Sequence, residues 1–291
     1  MNKDRDNTTM NPSEATVAEG SRITVIEPAT GWRLLDRKDL SAYRDLFFFL
    51  VFRDIKVLYA QTVLGFSWAL LNPFIQILIF TIIFGKVAAI DTDGIPYALF
   101  STVAIVPWTY MSNAMTSGST SLVTGQGMLG KIYFPRIIFP VTPILAKLVD
   151  FVISILLIVI AMIYYGVYPT VNMIYLPLFV LMMIAVPLGI SLWLSALAIR
   201  YRDVKFAMPF VIRMLIYTAP IVYTASAIPD KWRFLYSLNP IVGVIEGYRA
   251  VLLGTEIPWT FILPGLVTSA LLVVGGLLYF HRKENVFVDV I

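Results

Sequence analysis

From Tyr133 to Tyr165 the chain reads YFPRIIFPVTPILAKLVDFVISILLIVIAMIYY, and past Arg136 its only charges are Lys147 and Asp150. A helix of about 20 apolar residues crosses roughly 30 Å of hydrocarbon. This run is long enough to do so. Its approach is basic and broken by proline, with Lys131, Pro135, Arg136, Pro140 and Pro143, and marks the side of the membrane from which the helix starts.

Other runs take their places relative to this one. Of the 291 residues, 58% are hydrophobic and 14% charged, with a mean hydropathy of +0.80. Soluble domains carry about 25% charged residues, so the chain reads as one polytopic membrane domain. The net charge of +4 does not call for nucleic acid, because cytoplasmic loops of membrane proteins collect Lys and Arg. With no cysteine and one histidine, His281, disulfides, thiolate chemistry and histidine-based metal sites are excluded.

Residues 1–31 are polar and read as a flexible tail with no apolar signal-peptide core. The sequon at Asn7 reads as chance in a cytoplasmic tail. In residues 32–62, Trp32, Arg33, Arg37, Lys38, Arg44, Arg53 and Lys56 alternate with apolar runs, notably LFFFLVF at 46–52. Seven apolar residues are too few to span, so this segment reads as an interfacial helix. It either meets a cytoplasmic partner or only anchors the chain at the surface.

Six spans follow, at about 66–88, 97–117, 141–165, 174–198, 207–225 and 259–280. Asn72-Pro73 should kink the first. Residues 118–132 are too polar for lipid and read as a loop with a short helix. Residues 226–258 are amphipathic and aromatic but hold no run of span length. They read as two short helices, near 229–237 and 240–253, broken at Asn239-Pro240. Lys and Arg gather in the N-terminal region, 118–140, 200–205 and the tail, and are missing from 89–96 and 166–173. The positive-inside rule then puts both termini in the cytoplasm and 226–258 outside.

Few residues suggest chemistry. Gly125 to Lys131 matches a phosphate-binding loop until Ile132, which stands where Ser or Thr would hold Mg²⁺. No nucleotide site is therefore read in this chain. Arg213 lies about eight residues into the fifth span, where a charge must face the bundle interior, water or a partner. It could meet an anionic substrate group, pair with Asp150, or snorkel. Lys147 and Asp150, three residues apart, could pair with each other. At 100° per residue, Phe66, Phe74, Phe80 and Phe84 share an arc of about 120°. With Trp108, Tyr110, Tyr217 and Tyr223 they could stack on sugar rings in a wet channel. The competing reading makes them ordinary lipid-facing or interfacial aromatics.

Four stretches together resemble the membrane subunit of ABC-2-type polysaccharide exporters, the permeases for O-antigen, capsule and teichoic acid. They are RDIKVLYAQTVLGFSWALLNPFIQILIFTIIFG at 53–85, KIYFPRIIFPVTPILAKLVDF at 131–151, RYRDVKF at 200–206 and LNPIVGVIEGYRAVLLG at 238–254. The resemblance covers about 33–291 and leaves the tail without a counterpart.

The resemblance implies an all-α polytopic fold of six transmembrane helices in a bacterial cytoplasmic (inner) membrane. It implies a homodimer seated on two cytoplasmic ABC ATPase subunits, which bind the ATP and Mg. The implied cargo is a lipid-linked polysaccharide. It implies an interface helix in 32–62 and a coupling helix around Thr124, Gln126, Met128 and Lys131. It also implies re-entrant gate helices carrying Trp232, Asn239, Pro240, Glu246 and Arg249. No catalytic residue, metal ligand or cofactor is expected in this chain itself. Alternatives are an ABC-2 permease for a small drug or lipid, a membrane-embedded glycosyl or phosphate transferase, and an ion-coupled transporter. Asp91 and Asp93 are the nearest thing to a carboxylate cluster, and Asp150 is the lone intramembrane carboxylate read.

Overall fold

The computed structural model describes residues 43–129 and 134–284, and among them every regular element is helical. The tail, residues 32–42, Lys131 and the last seven residues of the chain lie outside the described residues. Helix is the economical answer for apolar sequence in lipid, because it satisfies its own backbone groups.

Helix α1, Arg44–Tyr59, has Asp45 in its first turn and Lys56 in its last, which suits the helix dipole. It buries Leu50 against Phe134, Ile138 and Phe139, and leaves Phe48, Phe49 and Phe52 exposed. The chain then turns through Gly65 into α2, Ser67–Phe80, which continues as a wider π-helical stretch, Thr81–Val87. Ala69, Pro73 and Ile77, four apart, form the buried stripe of α2, and its other faces are largely exposed and, apart from Ser67, Asn72 and Gln76, apolar.

Helix α3, Tyr97–Thr124, is the axle of the fold. It is buried along most of its 28 residues and packs against α2 and most of the later helices. It runs past residue 117, where the sequence suggests a loop. Two things hold the polar continuation helical. Thr116, Thr120 and Thr124 donate back to the carbonyl four residues earlier, and Gly118, Ser119 and Leu122 are buried. A four-residue helix, α4, Gln126–Leu129, follows.

Helices α5, Ile138–Ala146, and α6, Leu148–Tyr165, are two parts of one apolar rod broken at Lys147. Pro140 and Pro143 supply no N–H, so the ladder is already weakened just before the break. Gly166 ends α6 at φ 67°, with Val167 N–H donating to Met162 O at 2.9 Å and Gly166 N–H to Ile163 O at 3.2 Å. This is the left-handed cap that glycine takes without a Cβ penalty.

A 3-10 turn, Val171–Tyr175, leads into α7, Leu176–Arg200. Helix α8, Asp203–Met214, and a 3-10 turn to Tyr217 follow. The stretch read as a fifth span, 207–225, is thus helical only in its first half and then runs irregularly towards the 3-10 turn Ala225–Ala227. Next come α9, Asp230–Ser237, and α10, Pro240–Leu253. The Asn239 side chain caps α10 by accepting from Ile241 N–H at 3.1 Å, and Pro240 sits in the first turn. Helix α10 is wedged among α3, α7 and the last helix, α11, Trp259–Glu284.

Among the described residues, four helical stretches are long and apolar enough to cross a membrane: Ser67–Val87, Ile138–Tyr165, Val171–Arg200 and Trp259–Glu284. Helix α3 has the length, but its serines and threonines make it more polar than these four, and its surroundings are protein.

Candidate functional site

Two polar constellations sit at different levels of α3. The first lies where the end of α1 meets the break at Lys147. Tyr59 donates its hydroxyl to Asp150, and Lys147 Nζ stands 3.0 Å from the other carboxylate oxygen of Asp150. The two ionic side chains are 14% and 20% exposed. Burial, and then the hydrogen bond to Asp150, push the Tyr59 hydroxyl well above the usual phenol range, so it stays a donor. Ser154, one turn beyond Asp150, donates to Ala69 O at 2.8 Å and so joins α6 to α2. The helix break thus has a chemical function: the first turn of α6 presents a carboxylate to α1. These groups border a cavity of about 260 Å³ between α1, α2, α3 and α6.

The second constellation lies at the Tyr97 end of α3. Arg249 of α10 is 5% exposed and pairs with Glu246 at 2.9 Å, one helical turn away. Its guanidinium lies 3.5 Å from the centroid of the Phe100 ring and donates to Ile221 O at 3.1 Å and Tyr223 O at 3.5 Å. The irregular run after α8 therefore gives its unpaired carbonyls to a buried cation. Tyr97 donates to Val222 O at 3.0 Å, and Asn239 Nδ2 to Thr218 O at 3.2 Å. Together these bonds fasten the α9–α10 pair to the non-helical segment and to α3. A buried charge is tolerable only when paired and hydrogen-bonded, and Arg249 has an anion, a ring face and two carbonyls.

The residues singled out from the sequence scatter over this frame. Phe66, Phe74 and Tyr217 are exposed at 54%, 49% and 60%. Phe80 and Phe84 are half-buried and meet edge to face at 5.3 Å. Trp108 and Tyr110 are core residues, and Tyr110 donates to Ile144 O at 3.2 Å. Tyr223 is half-buried and accepts from Tyr236 at 3.2 Å. Thr124 and Gln126 are exposed beside half-buried Met128. Trp232 is exposed on α9. Arg213 is exposed and makes no ion pair among the described residues; Asp150 is held instead by Lys147 and Tyr59. Sequence reasoning missed Tyr59 and Phe100, whose partners are 91 and 149 residues away; no local pattern signals them.

The family profile described as "ABC-2 type transporter" matches residues 45–253. The chain belongs to the ABC-2 type transporter family. Both constellations fall inside the matched span. The O-antigen export system permease protein RfbA of Myxococcus xanthus is 27% identical over 252 residues, covering 85% of this chain and 96% of that protein. A protein of the same name from Klebsiella pneumoniae is 25% identical, covering 85% and 95%. The polysialic acid transport protein KpsM of Escherichia coli is 24% identical over 242 residues, covering 81% and 92%. The ABC-2 resemblance read from residues 33–291 is therefore shown, and the likeness to polysaccharide export permeases runs over most of each chain.

Proposed function

We propose that this chain is the membrane subunit of an ATP-driven exporter that moves a lipid-linked polysaccharide out through a cytoplasmic (inner) membrane. The observation that carries the reading is the near full-length likeness to permeases named for two different glycans, O-antigen and polysialic acid. A long hydrophilic polymer cannot enter hydrocarbon, so its export requires a hydrated path and a source of work. In this reading the path lies between two copies of the chain, each with six spans and cytoplasmic termini. The work comes from a pair of cytoplasmic ATPase subunits, which bind the ATP and Mg.

The geometry supports a mechanical route for that work. Helix α1 is in contact with α5 through Leu50 and with α6 through Tyr59 and Asp150. A push on α1 from the ATPase side would therefore act on both sides of the break at Lys147. The four-residue helix at Gln126–Leu129 would be the second point of contact, reporting to the axle α3. At the far end, α9 and α10 would form the gate, latched by Arg249. The exposed aromatics Phe66, Phe74 and Tyr217 would face the glycan path, with Phe80 and Phe84 behind them. Trp108 and Tyr110 would reach it only if α3 moves.

The test is a strain lacking the gene, scored for surface polysaccharide and for the internal pool of lipid-linked glycan. Loss at the surface with accumulation inside is expected. An unchanged surface and no internal pool would move the assignment to a small drug or lipid, and loss without accumulation would move it to synthesis.

A further inference from the structure

The cavity beside Tyr59 contains polar groups that the protein leaves unused. Asn72 on α2 and Asn113 on α3 line it, and neither amide has a hydrogen-bond partner among the described residues. Thr109, one turn before Asn113, lines it too, and its hydroxyl oxygen is buried with no partner. That is unusual on this helix. Thr102, Thr116, Thr120 and Thr124 all donate to the carbonyl four residues back. A buried hydroxyl left unpaired costs about 1–3 kcal/mol, and most buried polar groups find partners. The Trp68 indole forms another wall and is 45% exposed. Lys147 and Asp150 also line it, and the apolar side chains of Pro73, Val106 and Phe151 fill the walls between the polar groups.

The chemistry of this set is specific. The charges cancel within the Lys147–Asp150 pair, so the cavity has no net attraction for an anion, and a phosphate would meet the Asp150 carboxylate. The two amides each donate and accept, which suits vicinal hydroxyl groups. An indole offers a π face to axial C–H bonds. The volume of about 260 Å³ lies just below the roughly 300–1,000 Å³ of pockets for drug-sized ligands. It has room for one sugar ring and a few waters.

We infer that this cavity is a monosaccharide subsite, which holds one neutral pyranose unit of the exported glycan between α2, α3 and α6. The inference rests on the polysaccharide reading above and adds a place and a recognition chemistry to it. Asn113 and Thr109 lie 16 and 12 residues along α3 from Tyr97, about 24 and 18 Å at 1.5 Å per residue. The subsite is therefore well separated from the Arg249 latch. Leu58 and Tyr59, at the end of α1, form part of its wall. A movement of α1 would change the subsite, so grip and release of the sugar would follow the same stroke as the α6 break.

The experiment uses the full-length protein in detergent micelles and saturation-transfer NMR. The probes are the methyl glycosides of glucose, galactose, mannose and N-acetylglucosamine. Saturable transfer from at least one of them is expected, with affinity about tenfold weaker in Asn113→Ala and in Asn72→Ala, the loss of about one polar contact each. Asn72 and Asn113 are both exposed residues, so the variants should keep the parent thermal midpoint, which is measured alongside. Leu271→Ala, at an exposed position on α11, should bind as the parent does. The inference is overturned if no glycoside binds saturably. It is overturned equally if the asparagine variants bind unchanged, or if inorganic pyrophosphate competes more strongly than the glycosides, which would make this a headgroup phosphate site. The two readings fail separately. Sugar binding with normal surface glycan in the deletion strain would sink the export assignment and leave the subsite. An export defect with no sugar binding would do the reverse.

Discussion

At the scale of single residues, the decisive charge is Arg249. Arg213 draws attention in the sequence because it interrupts an apolar run, yet it is exposed. Arg249 sits in an amphipathic stretch that also carries Lys231 and Arg233, and of the three it is the one that is buried. Its partner Glu246 is one turn away and visible in the sequence, but Phe100 and the carbonyls of Ile221 and Tyr223 arrive through the fold. Removing one member of a buried pair leaves an uncompensated charge and costs about 3–5 kcal/mol. Arg249→Ala is therefore expected to lower the thermal midpoint strongly. The double variant Arg249→Met with Glu246→Leu should recover much of the loss, and a single variant as stable as the parent would remove the latch. Tyr59→Phe deletes one hydrogen bond to a charged acceptor, a loss of about 1.5–3 kcal/mol. Limited proteolysis should then cut the α1–α2 turn, Ala60–Phe66, faster than in the parent; unchanged cutting would mean that Tyr59 does not hold α1 to α6.

At the scale of elements, apolar run length was the reliable signal. The four long stretches that could cross a membrane follow it, because an apolar rod that satisfies its own backbone needs no tertiary information. The break at Asn239-Pro240 was equally legible, since Asn caps and Pro starts a helix. What could not be read was set by packing. Helix α3 continues to Thr124 because its polar side chains bond to their own backbone and its small residues are buried. The stretch after Tyr217 leaves the helix, and its carbonyls go to Arg249 and Tyr97. The cavity was unreadable for the same reason: Asn72 suggested only a kink, and Asn113 and Thr109 carried no signal until α2, α3 and α6 met. Close packing of α10 is testable at Gly247, where an added Cβ would lie 2.2 Å from the ring of Phe179 on α7. Gly247→Ala should cost about 1–3 kcal/mol of over-packing, and Phe179→Leu in the same chain should restore part of it. An alanine variant that melts with the parent would show that α7 and α10 yield easily.

At the scale of the whole molecule, the ABC-2 family match and the likeness to glycan export permeases give the chain its class. The two polar constellations suggest how such a chain would work. One ties α1 to the break in the α5–α6 rod, and the other ties α9 and α10 to α3. The second holds α3 directly through Phe100 and Tyr97, and Tyr110 of α3 bonds to Ile144 O on the rod that carries the first, so a displacement at one end has a path to the other. If α4 and its neighbours receive the ATPase stroke, alanine across 121–129 should leave ATP hydrolysis running in the assembled complex while export falls at least tenfold. Normal export in that variant would place the coupling elsewhere. The most direct measurement is glycan translocation in inverted inner-membrane vesicles from cells with and without this chain. Lipid-linked glycan starts on the outer face of such vesicles. The account predicts that ATP moves it to a lumen protected from added glycosidase only when this chain is present. Protection that forms without the chain, or without ATP, would contradict it.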